Sequence, residues 1–217
     1  MTATRPSFAP WDERTSPRIV SPEESARRVR AFAAFEEKAA QILEAFGPSM
    51  AEDHAQATLA RHARHHAFHA EILRERVADA SGSKGDAADD ADLAAFLDAV
   101  AEPKDADQAV ELLTGVYRVL LPRAITAYTY LLTALGSDAT DADARWFELI
   151  LKDSFDSIRD GELLLQSLLG QGGEAAVQRS ADRRAALEAQ MVKIGGLVGP
   201  DSLGGNNPQS PKNTENK

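Results

Sequence analysis

The sequence predicts an all-α fold, an up-down four-helix bundle with one long crossover. Apolar residues recur at helical spacing along four long stretches, and short segments that contain glycine or proline separate those stretches. No segment of convincing length shows the alternation of apolar and polar residues that is typical of a β-strand. The chain has 217 residues, which is long enough to bury one good hydrophobic core.

The first two long helices are predicted to form an antiparallel hairpin. Residues 21–24, SPEE, are typical of a helix start, because serine suits the N-cap, proline the first helical position and acids the first turn. This helix should end near Phe46, before a Gly-Pro pair, and a second helix should begin at Ser49 and continue to about Ala80. So short a join places the two helices side by side in opposite directions.

A long crossover is predicted to lead from that hairpin to a second one. It comprises a polar loop over residues 81–92 and a short helix over 93–100. The third long helix is predicted over 106–135, with a kink at Pro122, because proline lacks the N–H that a helix interior needs. The fourth long helix should continue to about Leu169, antiparallel to the third.

We expect a single helical domain over residues 22–195. Residues 1–21 carry several prolines and no periodicity, so they are expected to be an extended or disordered arm, and residues 196–217 a disordered tail. The glycine-rich run 170–173 should end the fourth long helix. A last helix over 174–194 is expected to cap the bundle or to pair with another chain, which makes a homodimer the candidate assembly.

Composition excludes several classes of function. The formal net charge of -10 argues against a nucleic acid or an anionic membrane as partner, because both bind basic surfaces. No apolar run approaches the length of a membrane span, and the N-terminal segment lacks the apolar region of a secretory signal. The absence of cysteine excludes disulfides, thiolate metal sites and cysteine nucleophiles. We therefore expect a cytoplasmic protein that acts, if it is an enzyme, on a small molecule.

Four of the five histidines lie close together on the second long helix, at His62, His65, His66 and His69. A helical wheel places His62, His66 and His69 on the apolar stripe of this helix and leaves His65 nearer its edge. Imidazoles at this spacing on a buried face suit either a metal ion or a proton-linked polar network. The apolar neighbours argue against the alternative, a solvated helix face.

Carboxylates on two other helices are predicted to face the same core. Glu36 falls on the apolar stripe of the first helix, and Asp153 and Asp160 fall on that of the fourth long helix. A buried carboxylate costs several kcal/mol unless it is paired, hydrogen-bonded or bound to a cation. The acids therefore hold the imidazoles directly, bind a metal ion together with them or, for the two aspartates, pair with Arg118. The predicted metal ligands are Glu36, His62, His66, His69, Asp153 and Asp160.

This arrangement resembles the ferritin-like di-metal carboxylate superfamily over roughly residues 22–170. The resemblance lies in the order of the helices, in the crossover, and in an inward glutamate on the first helix followed by inward histidines on the second. That family places a glutamate on each of two helices and a Glu-x-x-His pair on each of the other two. The resemblance implies one or two ions of iron or manganese in the core of the bundle.

The ligand positions match that family only in part. Glu36 matches the first glutamate. On the second helix, His62 with His65 and His66 with His69 have the spacing of a Glu-x-x-His pair, with histidine in place of the glutamate. Asp153 and Asp156 stand at the other such pair. The third long helix offers no inward acid. Its core positions are Thr114, Tyr117, Leu121, Ile125 and Tyr128. The sequence therefore predicts an unusual, histidine-rich site.

Two functions follow from these predictions. The first is a non-haem iron or manganese oxidase or oxygenase that activates dioxygen in its core and oxidises a small molecule. The second is a metal-free helical scaffold, a dimer, in which buried pairs of histidine with aspartate or glutamate are structural. Convergence of the ligand atoms within about 5 Å favours the first function. Histidines that donate singly to Asp153 and Asp160 favour the second.

Overall fold

The computed structural model describes residues 22–80, 91–134 and 141–197, and every regular element within these ranges is helical. The all-α class that the sequence predicts is therefore confirmed. The predicted arm, most of the predicted crossover loop and nearly all of the predicted tail lie outside the described residues. None of the described helices combines the length and the apolarity that a bilayer-spanning helix needs.

The first hairpin consists of helices α1 (Pro22–Phe46) and α2 (Asp53–Ala80). A 3₁₀ turn over Gly47–Ser49 ends α1, and the N–H of Met50 closes it by donating to the carbonyl of Gly47 at 3.1 Å. Met50 itself is extended, with ψ of 137°. Helix α2 therefore begins at Asp53, a turn later than the sequence predicts, because an extended residue cannot belong to a helix.

The crossover helix α3 (Ala91–Val100) leads into a third long helix that is not uniform. After a 3₁₀ turn it consists of α4 (Ala109–Leu113), a π-helical stretch over Thr114–Leu120, called here the π segment, and α5 (Leu121–Ala134). The N–H of Leu121 bonds to the carbonyl of Val116, five residues back. The disturbance that Pro122 predicts thus takes the form of a wider turn just before the proline.

The last helix, α6 (Asp141–Lys193), reverses direction at Gly173. Gly173 has φ of 60° and ψ of -153°, a conformation that favours glycine. Arg118 donates to Glu162 before this break at 2.6 Å and to Ser180 after it at 3.1 Å. Since one side chain reaches both arms, the second arm folds back along the third long helix. The second arm thus packs on the bundle, which is one of the two expectations for this segment.

Contacts between side chains give the direction of each helix in the bundle. The first arm of α6 runs antiparallel to α2, as the pairs Arg61–Asp160 and His69–Asp153 show. It also runs antiparallel to the third long helix, where Tyr128 packs on Phe147 and Arg118 pairs with Glu162. Helix α2 and the third long helix are therefore parallel, which accounts for the long connection between them.

The core lies among α1, α2, the third long helix and the first arm of α6. Its largest fully buried side chains are Tyr117, Tyr128, Phe32, Phe35, Phe96, Leu43, Leu59, Leu73, Leu112, Leu113, Leu120 and Leu121. Phe147 is a buried member of this core and packs against the ring of Tyr128, whereas its neighbour Trp146 is 41% exposed.

Candidate metal centre

Glu36 is a fully buried carboxylate at the middle of α1, and two other helices, α2 and α5, supply its partners. His66 of α2 lies with its Nδ1 2.5 Å from Oε2 of Glu36. Tyr128 of α5 donates its hydroxyl to the other oxygen, Oε1. His69, one turn after His66, places its Nδ1 3.5 Å from Oε2. The helical spacing of the two histidines brings both rings to the same carboxylate.

The carboxyl group of Glu36 is ionised at neutral pH. Burial works to raise its pKa, but the charge and hydrogen bond of His66 and the close contact with His69 outweigh burial and lower the pKa from 4.5 to about 2. The hydroxyl of Tyr128 is un-ionised, because burial and the adjacent charge of Glu36 raise its pKa well above the ordinary value. The centre therefore presents a negative charge to two imidazoles inside an apolar core.

Glu36, His66 and His69 together could hold a metal ion. One ligand atom from each lies within 4.8 Å of the other two, and each residue is at most 1% exposed. Among the described residues, His66 Nε2 and His69 Nδ1 are buried nitrogens without a hydrogen-bond partner. Ligand atoms about 2.1 Å from one ion lie at most about 4.2 Å apart, so small side-chain rotations would gather all three around an ion.

His69 also contacts a second carboxylate, at the rim of the core. Its Nε2 lies 3.2 Å from Oδ2 of Asp153, whose side chain is 18% exposed. Burial works to lower the pKa of His69, but Glu36 and then Asp153 outweigh burial and raise it above the ordinary value. His69 thus joins the buried carboxylate of Glu36 to the half-buried one of Asp153.

His62 belongs to a neighbouring group one turn away. Its Nδ1 shares a hydrogen bond of 2.8 Å with the hydroxyl of Tyr117, and its Nε2 lies 3.4 Å from the guanidinium of Arg61. Burial, and then the charge of Arg61, lower the pKa of His62 from 6.5 to about 3, so this ring is neutral. The other charged or titratable groups that act on His62 are His65, His66 and Asp160.

Three of the six predicted ligands, Glu36, His66 and His69, therefore lie together. Asp153 lies on the far side of His69, and His62 pairs with Tyr117. Asp160 is held by arginines, at 2.5 Å from Arg61 and 3.0 Å from Arg159. Metal binding by any of the six stays a prediction.

The alternative pairing of the two aspartates with Arg118 does not form. Arg118 donates to Glu162 at 2.6 and 3.0 Å, and the bond with Glu162 raises the pKa of Arg118. Glu162, whose side chain is 34% exposed, lies beside the π segment through this ion pair. The predicted edge position of His65 agrees with its half-buried ring.

The two tyrosines carry roles that sequence reasoning missed. Tyr117 and Tyr128 are predicted as core residues, which they are, but each hydroxyl also bonds to a member of the polar cluster. A buried tyrosine usually gives its hydroxyl a partner. The sequence could have indicated these hydrogen bonds, because two tyrosines occupy core positions on the helix that lacks an inward acid.

No family model, no curated protein and no solved structure matches this chain. The fold and the site nevertheless define the class of protein. It is an all-helical protein with a buried cluster of one glutamate and two histidines, Glu36, His66 and His69, that could hold a metal ion.

We expect the metal-free protein to lose stability as the pH falls because of His62. Its pKa in the fold, about 3, lies below the ordinary value near 6.5, so the unfolded chain takes up the proton first. The stability that neutral His62 contributes is present above pH 6.5 and is lost as the pH falls toward 3. Between pH 7 and 5 the loss should be about 2 kcal/mol.

Denaturant melts in the presence of a chelator would measure this loss. His62→Asn should remove it, because an amide keeps polar atoms near Tyr117 but does not titrate. His54→Asn, at an exposed position of the same helix, should lose as much stability between pH 7 and 5 as the wild type does. An equal loss of stability between pH 7 and 5 in His62→Asn and in the wild type would contradict the assignment of this loss to His62.

Proposed function

We propose that the protein binds one divalent transition-metal ion through Glu36, His66 and His69. The observation that carries the proposal is the convergence, within 4.8 Å, of one ligand atom each from an ionised, fully buried carboxylate and two buried imidazoles. Two histidines and one carboxylate that leave coordination positions open are the ligand set of non-haem Fe(II) enzymes. Manganese and zinc accept the same kinds of ligand.

The fold we propose is a ferritin-like bundle. What supports it is the direction of the helices, since α2 and the third long helix run parallel across a connection that contains α3. Ferritin-like folds have one such crossover and carry their metal ligands on inward helix faces. In this chain the third long helix supplies the hydroxyl of Tyr128 where that superfamily has a carboxylate. One carboxylate fewer favours a single ion over a pair.

The reaction class we propose is oxidation of a small molecule. An iron or manganese ion in this centre would supply the activation of dioxygen. Glu36 would balance the charge of the ion through Oε2, because Tyr128 holds Oε1 by a hydrogen bond. Phe32 and Phe35 pack edge-on against Tyr128, with ring centroids 4.7 and 6.4 Å away, and keep water from this side of the centre.

Metal content and thermal stability test the proposal. Protein expressed with ample iron should hold at least about 0.5 equivalents of iron or manganese by elemental analysis. Anaerobic addition of Fe(II) to chelator-treated protein, at about 100 times Kd, should raise Tm by about 5–10 °C.

Matched pairs of variants supply the controls. Glu36→Gln and His66→Gln should abolish both the metal content and the shift in Tm. Glu37→Gln and His54→Gln, at exposed positions of the same helices, should leave both unchanged. A wild-type protein without metal that shows no shift in Tm would reject the proposal.

The second candidate function is a metal-free scaffold. The hydrogen bonds of His66 and Tyr128 to Glu36 favour it, because they already satisfy the carboxylate within the protein. In a scaffold, His66→Gln would destabilise the fold without changing metal content. The homodimer predicted for this function remains a proposal, for which sedimentation gives the test.

A further inference from the structure

We infer that Asp153 is a positioning residue that directs Nδ1 of His69 toward the metal ion. This inference rests on the proposed function, since it concerns the same centre. It assigns Asp153 a role that differs from direct ligation. The role follows from the position of His69 between two carboxylates.

The imidazole of His69 has one nitrogen facing each carboxylate. Its Nδ1 lies 3.5 Å from Oε2 of Glu36, on the side of His66. Its Nε2 lies 3.2 Å from Oδ2 of Asp153. The two nitrogens of an imidazole ring point in divergent directions, so Asp153 lies beyond the ring as seen from Glu36. Asp153 is also absent from the set of residues whose ligand atoms converge within 4.8 Å.

The chemistry of the ring then selects the nitrogen that binds the ion. A neutral histidine carries one N–H, and a metal ion needs the nitrogen that has the lone pair. The carboxylate oxygen of an aspartate accepts hydrogen bonds, so the nitrogen beside Asp153 keeps its hydrogen. Nε2 therefore donates to Asp153, and Nδ1 offers its lone pair on the side of Glu36 and His66.

The contact with Asp153 also holds the ring in place. The ring of His69 is 1% exposed, so a lost partner would leave a buried Nε2–H unsatisfied. Partners that orient metal-bound histidines typically contribute 10–100-fold to metal affinity. Asp153 is the one described residue that accepts a hydrogen bond from His69 Nε2.

Zinc binding by variants of Asp153 tests the inference, with Zn²⁺ as the probe and competition by a chromophoric chelator as the readout. Asp153→Leu should weaken the affinity for Zn²⁺ by 10–100-fold. Asp153→Asn should weaken it less than tenfold, because the amide oxygen still accepts the hydrogen bond. Asp156→Leu, three residues on and 41% exposed, should bind Zn²⁺ as the wild type does.

A nuclear magnetic resonance readout separates positioning from a general effect on the fold. In the zinc-loaded wild type, ¹⁵N spectra of the His69 ring should show hydrogen on Nε2 and metal on Nδ1. Asp153→Leu should move the Nε2–H signal and speed its exchange with water. Should Asp153→Leu fail to fold, the spectra of the wild type and Asp153→Asn decide.

The outcomes keep this inference distinct from the proposed function. A wild-type protein that binds no Zn²⁺ would reject the metal centre itself. A wild type that binds Zn²⁺ while Asp153→Leu binds it equally well would overturn the inference alone. Metal on Nε2, or an Asp153→Asn variant as weak as Asp153→Leu, would overturn it too, because either result makes the carboxylate a ligand.

Discussion

Replacing Glu36 with alanine is expected to destabilise the metal-free protein by about 3–5 kcal/mol. The substitution removes the anion that His66 and His69 face, and it leaves polar groups of two buried side chains, His66 and Tyr128, without their hydrogen-bond partner. Breaking a buried charge pair from one side costs more than the pair contributes, because the remaining charge or dipole stays in the core.

The loss of stability caused by Glu36→Ala should depend on pH. The pKa of Glu36 is lowered to about 2, so its contribution is present above the ordinary value of 4.5 and is lost as the pH falls toward 2. The pKa of His69 is raised, so its contribution is fully present below about 6.5 and is lost as the pH rises through the raised value. The difference between the wild type and Glu36→Ala should be largest between about pH 4.5 and 6.5.

Guanidinium melts with a chelator present measure this effect apart from metal binding. Glu36→Gln should cost less than Glu36→Ala, because the amide oxygen still accepts from Tyr128. The control is Glu37→Ala, whose side chain is 51% exposed and pairs with Arg74, and it should change stability by less than about 0.5 kcal/mol. Equal effects at positions 36 and 37 would refute the buried network.

Replacing Gly161 with alanine is expected to destabilise the protein by about 2–3 kcal/mol and to lower Tm by roughly 5–10 °C. Gly161 lies on the first arm of α6, where the ring of Tyr117 packs directly on its backbone. A Cβ there would overlap three ring carbons of Tyr117. The ring is 2% exposed and bonded to His62, so it cannot move aside without breaking that bond.

This result would oppose the usual preference of helices for alanine, which favours it over glycine by up to about 1 kcal/mol. Gly170 on the same arm supplies the matched control, since a Cβ there would meet nothing within 4 Å. Gly170→Ala should therefore be neutral or stabilising. Thermal unfolding of the two variants compares them directly, and a Gly161→Ala variant as stable as Gly170→Ala would show that Tyr117 is not confined.

The order and extent of the helices were predictable because local patterns determine them. Caps, glycine breaks and apolar spacing place the ends of α1 and α3 within one or two residues of those observed. The kink predicted at Pro122 takes the form of the π segment, because a chain that lacks one N–H can recover by shifting the bonds of the preceding turn. The proline in the sequence predicts an irregular helix at this point, and the packing around it determines that the irregularity is a π-helical stretch.

The members of the site were predictable only as a set of inward residues. Asp153 and Asp160 are two turns apart on one face, and the wheel cannot distinguish them. The structure places Asp153 against His69 and Asp160 against Arg61. On α2 the helical wheel likewise places His62 and His66 on one face, and the structure gives them different partners, Tyr117 for His62 and Glu36 for His66.

The sequence by itself determined the helical class, the order of the helices and the faces on which histidines and acids would lie, since the helical repeat fixes the direction of a side chain around the helix axis. Only the tertiary structure decided which atoms meet. A shift of one residue along a helix moves a side chain by 1.5 Å and turns it by about 100°, and the packing of all the helices together sets that shift. That packing brings Glu36, His66 and His69 together and places the hydroxyl of Tyr128 beside them.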